Sequence, residues 1–343
     1  MIYCYGVFIE LKNIRYCFFL ILLSLVFAPN CTKNGDDPLI IYSGRSESLV
    51  GPVFQQFENL SGISIEVKYG KTGALAAQLL EEGSKTPADI FFAQDPGGLG
   101  AVESMLGIIP AEIIERVPDW AKSPLGSWVG ISGRARVLVY NSSTISESDL
   151  PNSIWDLTDP KWNGRLGWAP SNSSFQAMVT GMRIVWGEKK TKDWLVGVMK
   201  NNPLVYPKNT PQVAAVATGE IDIGMVNHYY LHRFLSEEGD GFPARNWFTP
   251  AMDPGSVVLA AGVAILKNSD NSESAERFIS FLLSEVAQQY FATQTFEYPL
   301  IEGVKADRGL PPLESLSKPN IDLSKLGDLE KTQDLLRDVG ALS

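Results

Sequence analysis

The sequence predicts an α/β protein of two lobes, each a mostly parallel sheet covered by helices, with a ligand cleft between them. Three observations carry this. The first third of the chain alternates in β-α-β-α-β order, which builds a right-handed parallel sheet with helices on both faces. The middle section repeats that style, and no single sheet accommodates all the strands comfortably. Polar clusters also stand at five strand ends: Arg45-Ser46, Gln94-Asp95, Arg134 with Tyr140, Asn172-Ser173-Ser174, and Asn227 with Tyr229-Tyr230. In such sheets ligands bind outside the carboxyl ends of the strands.

At the start, Lys12 and Arg15 precede an apolar stretch from Tyr16 to Ala28. It is too short and too near the terminus for a permanent span, so residues 1–30 read as a secretory signal. Cys4 and Cys17 fall inside it, which leaves Cys31 without a partner for an internal disulfide. Cys31 opens a polar linker, residues 31–37, and two readings stay open: the lipidated first residue of a bacterial lipoprotein, or a free surface thiol. The preceding Ala28-Pro29-Asn30 departs from the usual lipobox.

Leu39 to Tyr42 is the first strand, turned by Ser43-Gly44-Arg45. Leu49, Val53, Phe57 and Leu60 recur at helical spacing up to Gly62. Ile63, Ile65 and Val67 alternate as a strand, Leu75, Leu79 and Leu80 mark a helix, and Ala88 to Phe92 is the third strand. Val137 to Tyr140 is a strand, a loop region covers Ile154 to Gly164, and the strand Leu166 to Ala169 runs into Pro170 to Ser174. Helices are expected from Phe175 to Trp186, around Asp193 to Met199, and from Val213 to Thr218. The last leads into the alternating strand Ile221 to Val226. Val257 to Leu266 is a strongly apolar strand, Ala275 to Thr293 a single long amphipathic helix, and Ser324 to Val339 a helical tail.

The chain has 343 residues, 45% apolar, which suits about two domains. A net charge of −10 argues against a nucleic-acid partner, because phosphate binding wants a basic face. There is no Gly-x-Ser-x-Gly elbow, no glycine-rich phosphate loop with lysine and no His-Glu-x-x-His motif. Nucleophile–base pairs are scarce with two histidines and one exported cysteine. A secreted hydrolase using Asp95 or Glu47 is the remaining enzymatic reading.

Tyr229 and Tyr230 are the most pointed feature. A phenolate oxygen is a hard anionic donor, and hard, highly charged cations such as Fe³⁺ prefer oxygen ligands. Neighbours in mid-helix diverge by about 100°, so both phenols can face one ion only from a loop or a helix's first turn. The competing reading is one core tyrosine beside one exposed. His228 and His232 have a spacing that can chelate metal on a helix, but surface histidines are the expectation here. Serines at Ser173-Ser174 either cap the following helix or offer an anion its N–H groups and positive end.

Six stretches together resemble the ferric-ion-binding proteins of bacterial ABC iron importers, within the class II periplasmic solute-binding fold. They are Ile41-Tyr42-Ser43-Gly44-Arg45, Lys71-Thr72-Gly73, Pro87 to Phe92, Ser132 to Val137, Pro160 to Arg165, and Asn227-His228-Tyr229-Tyr230. The resemblance runs from about Leu39 to Pro312. It implies lobes joined by two hinge strands, one formed by 38–134 plus 259–310 and the other by 135–258 plus 311–343. It makes Tyr229 and Tyr230 ligands of a transported Fe³⁺, with Tyr140 a further tyrosine ligand. It places a synergistic anion, carbonate or phosphate-like, on Asn172, Ser173 and Ser174, with Asn227 in support and Arg45 and Arg134 as guanidinium partners. A first-strand histidine and a carboxylate ligand of some relatives fall at Ser46 and Gln94, so a tyrosine-rich site completed by an anion suits this chain better. The implied setting is the periplasm or the outer face of a bacterial membrane. There the protein is a monomer docking transiently on an ABC permease and its ATPase, with no membrane contact beyond a lipid anchor. A phosphorylated sugar, phosphonate or other oxyanion on the same fold is the alternative cargo.

Overall fold

The computed structural model describes residues 37–342 other than 308, 318 and 320. The signal segment and Cys31 lie outside the described residues. Among the described residues no helix is long and apolar enough to cross a membrane.

The first half opens as expected. Strand β1 (Leu39–Ser43) lies between β2 (Ile65–Tyr69) and β3 (Ile90–Ala93), parallel to both. Helix α1 (Glu47–Ser61) ends at Gly62, whose φ of 72° is the left-handed conformation glycine adopts without a Cβ penalty. Helix α2 (Thr72–Glu82) follows β2, and the short helix α3 (Pro96–Ala101) follows β3. Helix α4 (Ala111–Ile114) leads towards β4 (Val129–Asn141), a fully buried strand of 13 residues.

Strand β4 joins the halves. Val129 to Ala135 pair antiparallel with β9 (Val258–Ile265), which also borders β3. From Arg136 onward β4 turns its edges to β7 (Ile223–Asn227) and β8 (Ala244–Trp247) instead. In the second half β5 (Leu166–Trp168) runs parallel to both β7 and β6 (Leu204–Val205), and β10 (Tyr298–Pro299) pairs with β4 near Gly133. Each half is therefore parallel at its outer strands, as the sequence pattern predicts, and antiparallel where β4 and β9 cross.

Helix α5 (Ser173–Lys200) contains both helices expected there, broken at Gly187, where φ is 79°. Helix α6 (Asn209–Thr218) precedes β7, and helix α7 (Tyr229–Glu238) follows it. The single helix expected over Ala275 to Thr293 is instead two, α8 (Ser272–Leu282) and α9 (Glu285–Gln294). The Ser284 hydroxyl accepts from the Ala287 N–H at 3.3 Å, an N-cap that restarts the helix. Helix α10 (Leu329–Asp338) closes the chain. The tail touches both halves: the Leu326 carbonyl lies against Gly97 of α3, and Arg183 of α5 is ion-paired to Asp328 at 3.0 Å.

One large apolar cluster runs through both halves, and a second gathers Val137, Val213, Ile221 and Val226. Phe54 and Phe57 meet Phe278 edge-on at 5.2 and 5.1 Å, and Trp168 meets Phe175 at 5.6 Å. The β1–α1 turn is as tight as the core. A Cβ on Gly44 would stand 2.1 Å from Thr72 Oγ1, which itself accepts the Gln94 N–H at 3.0 Å. Gly44→Ala is expected to cost about 1–3 kcal/mol through forced displacement of Thr72. Urea unfolding measures this, and an unchanged midpoint contradicts it.

Candidate functional site

A cleft of about 800 Å³ lies between the halves, walled by Gly44 to Leu49 and Tyr69 to Ala74 on one side and by Ser171 to Ser173, Lys208, Tyr229, Tyr230 and Arg233 on the other. Gln94 also reaches it, and the tail contributes Leu329 and Gln333.

Tyr229 and Tyr230 are the first two residues of α7, directly after β7. The helix's first turn is one of the two places where both phenols can reach one ion, and the rings stack at 4.3 Å with 30° between planes. Burial, with the neighbouring Tyr229 phenol and its hydrogen bond, pushes the Tyr230 hydroxyl well above the usual phenol range. Arg45 opposes that shift. The two rings stand together in the wall of a polar cleft, with Tyr229 almost fully buried.

Beneath the tyrosines three arginines are buried. Arg45 lines the cleft and is ion-paired to the buried Glu297. Arg134 donates from Nη1 to Ser174 Oγ at 3.1 Å, while its Nε and Nη2 have no partner. Arg136 donates to Asn227 Oδ1 at 3.0 Å and to the Met225 carbonyl at 2.8 Å. Desolvation and the nearby Arg134 pull Arg136 down to about 9. Ser174 Oγ is a focus for donors, receiving Gln94 Nε2 at 2.9 Å and Asn227 Nδ2 at 3.3 Å besides Arg134.

Of the expected anion residues, Arg45, Asn172 and Ser173 line the cleft. Arg134, Ser174 and Asn227 are fully buried behind that lining. Asn172 also serves locally: its Oδ1 accepts from the N–H groups of Ser174 and Phe175, at 3.1 and 3.4 Å, and caps α5. Gln94, through its bond to Ser174, ties the end of β3 to the start of α5 across the cleft.

Two expectations are corrected. Tyr140 is not beside the tyrosine pair. In the β4–β7 ladder Tyr140 is opposite Ile223 and Arg136 opposite Asn227, so Tyr140 stands four residues, about 13 Å, from the strand end that feeds Tyr229. Its hydroxyl donates to Glu147 instead, at 3.4 Å. The histidines are not at the surface. His228 is fully buried, accepting from the Ala135 N–H at Nδ1 (3.1 Å) and placing Nε2 on the Phe296 carbonyl at 2.8 Å. Burial drives its pKa down to about 3, so it is a neutral core residue with both nitrogens occupied. His232 is buried too and stacks on Phe296 at 5.5 Å.

Sequence reasoning missed Arg136 and Glu297. The alternation of Arg134 and Arg136 within an apolar strand was the available signal, since charges are rarely buried without a purpose. Among the described residues no group of three or more His, Cys, Asp or Glu is gathered. The oxygen donors that distinguish this cleft are the phenols, and its lining carries the cations Arg45, Lys71, Lys208 and Arg233 against one carboxylate, Glu47.

Asp95, at the end of β3, is buried with Oδ2 unpartnered. Desolvation raises its pKa, and Arg134 and the Ser173 hydroxyl only partly offset that. An unfolded aspartate titrates near ~3.9. The fold therefore keeps a proton the unfolded chain has lost. This stabilisation is fully present below ~3.9 and is lost as pH rises through the folded value. Asp95→Asn stays neutral, so its unfolding free energy should gain on wild type as pH rises from about 4 and then level off. Urea titrations at several pH values measure the difference; a gap that shrinks with rising pH contradicts the assignment.

The model for bacterial extracellular solute-binding proteins matches residues 86–324. The major ferric iron-binding protein of Neisseria meningitidis serogroup B is 33% identical over 310 residues, 88% of this chain and 92% of that protein. Iron-bound HitA from Pseudomonas aeruginosa superposes with a TM-score of 0.84 at 33% identity, covering 88% of this chain and 99% of its own. A Trichodesmium protein (IdiA, FutA), solved in complex with iron and citrate ligands, superposes at 0.77 with 28% identity over 89% of this chain and 99% of its own. The two-lobed α/β architecture, the cleft and these matches agree: the chain belongs to the bacterial extracellular solute-binding protein family.

Proposed function

We propose that this protein is the extracytoplasmic binding component of an ABC importer, taking Fe³⁺ through the Tyr229 and Tyr230 phenolates together with a synergistic anion. The observation that carries this is the stacked phenol pair in the wall of a cation-lined cleft. The iron-binding names of its relatives support the same reading. Ferric ion acidifies phenols bound to it, so both hydroxyls become anionic oxygen ligands and their protons leave. Two phenolates leave a trivalent ion with residual charge and open coordination positions, and an oxyanion fills both needs.

Arg45, Asn172 and Ser173 meet that anion at the cleft surface, with Arg134, Ser174 and Asn227 bracing them from behind. Guanidinium binds planar oxyanions in bidentate fashion. Carbonate and phosphate-like anions fit this donor set, and the citrate bound with iron in the Trichodesmium relative extends it to carboxylates.

Lobe closure, with residues 38–134 plus 259–310 meeting 135–258 plus 311–343, gives the permease and its ATPase a shape that distinguishes loaded from empty protein. The site of action is the periplasm or the outer face of a bacterial membrane, with Cys31 as the anchor if it is lipidated. The protein acts as a monomer and performs no catalysis.

The surplus of cleft cations favours a second reading, in which a phosphorylated sugar, a phosphonate or another oxyanion is itself the cargo. Calorimetry with ferric citrate and with organophosphates separates the two.

Adding Fe³⁺ is expected to give a purple tyrosinate charge-transfer colour. Tyr229→Phe and Tyr230→Phe should each weaken the band and binding greatly, and the double variant should abolish both. Undiminished absorption in the double variant defeats the proposal.

A further inference from the structure

Glu297 does not line the cleft, yet one of its carboxylate oxygens holds Arg45, which does. It immediately precedes β10 and is fully buried. One oxygen is ion-paired to Arg45 Nη2, and the other accepts the hydroxyl of Ser132 on β4. Arg45 in turn stands two residues past the end of β1 and lines the same cleft as Tyr229 and Tyr230. Its Nε is buried and has no partner. A buried carboxylate is costly unless paired, and here the pairing joins the cleft wall to the central strand.

We infer that Glu297 is a positioning residue that fixes the Arg45 guanidinium against the tyrosine pair, so that Arg45 is already aimed when phenolates and anion assemble around the cation. Arginine is long and has many rotamers; a two-point clamp on its partner removes that freedom before the ligand arrives. Ser132 supplies the second point, tying the carboxylate to the strand that runs through both halves. The inference rests on the ferric reading above and adds to it a residue outside the cleft.

The test is a double-mutant cycle in the full chain: Glu297→Gln, Arg45→Gln and the pair, read by ferric affinity in the presence of citrate and by the charge-transfer spectrum. Glu297→Gln is expected to weaken ferric binding by about 10- to 100-fold, as loss of a supporting contact around a metal site does. It should also move the charge-transfer maximum. In the Arg45→Gln background the same substitution should change neither quantity, because it acts only through Arg45. Should Glu297→Gln fail to fold, Ser132→Ala loosens the clamp while leaving the ion pair. It should lower affinity in the same direction, and not in the Arg45→Gln background. A Glu297→Gln protein that binds and absorbs like wild type overturns the inference. So do additive effects in the cycle, or an unaltered Ser132→Ala where that variant stands in. A wild-type protein that stays colourless with ferric citrate overturns the iron reading, and this inference with it.

Discussion

Three guanidinium groups withdrawn from water beneath one pair of phenols constrain everything around them. An ion buried in a protein interior costs several kcal/mol unless partners replace its hydration. Arg45 has Glu297, Arg136 has Asn227 and the Met225 carbonyl, and Arg134 has Ser174, yet each keeps at least one buried nitrogen unpartnered. An arrangement so rich in donors favours any anion that approaches it, whether a phenolate made by metal binding or an oxyanion from solution. The surrounding fold is what keeps the three charges from separating.

That fold works through β4. Its first half belongs to one sheet and its second half to the other, and Arg134 and Arg136 flank the handover at Ala135. The donors that meet at Ser174 come from three other places: Gln94 from the end of β3, Arg134 from β4 and Asn227 from the end of β7. These three hydrogen bonds tie strands from both halves to the first turn of α5. Gln94 uses its amide for such a contact between the halves.

Much of the fold was legible because it rests on period and punctuation. Strand β1, helix α1 ending at Gly62, and the apolar β9 follow from alternation, helical spacing and a glycine stop. The failures have specific causes. Ala275 to Thr293 keeps a helical apolar period across the break, so the Ser284 cap was hidden inside the pattern. His228 and His232 looked like surface residues because histidine is amphipathic, and only the packing of Phe296 and the Ala135 backbone decides that both are buried. Tyr140 carried the right chemistry on the right strand but at the wrong end, an error of ladder register rather than of residue type.

The sequence by itself determined the α/β class, the place of Tyr229 and Tyr230 just past a strand end, and the supply of polar groups at strand ends, because these depend on local periodicity and on neighbours in the chain. Tertiary structure alone decided which groups meet. Glu297 and Arg45 are 252 residues apart, and Gln94 and Ser174 are 80 apart. Nothing local in the chain encodes such distances. They follow from the pairing of β4 with β9 in one half and with β7 in the other, where burial of apolar surface brings charged side chains together and leaves them no water to turn to.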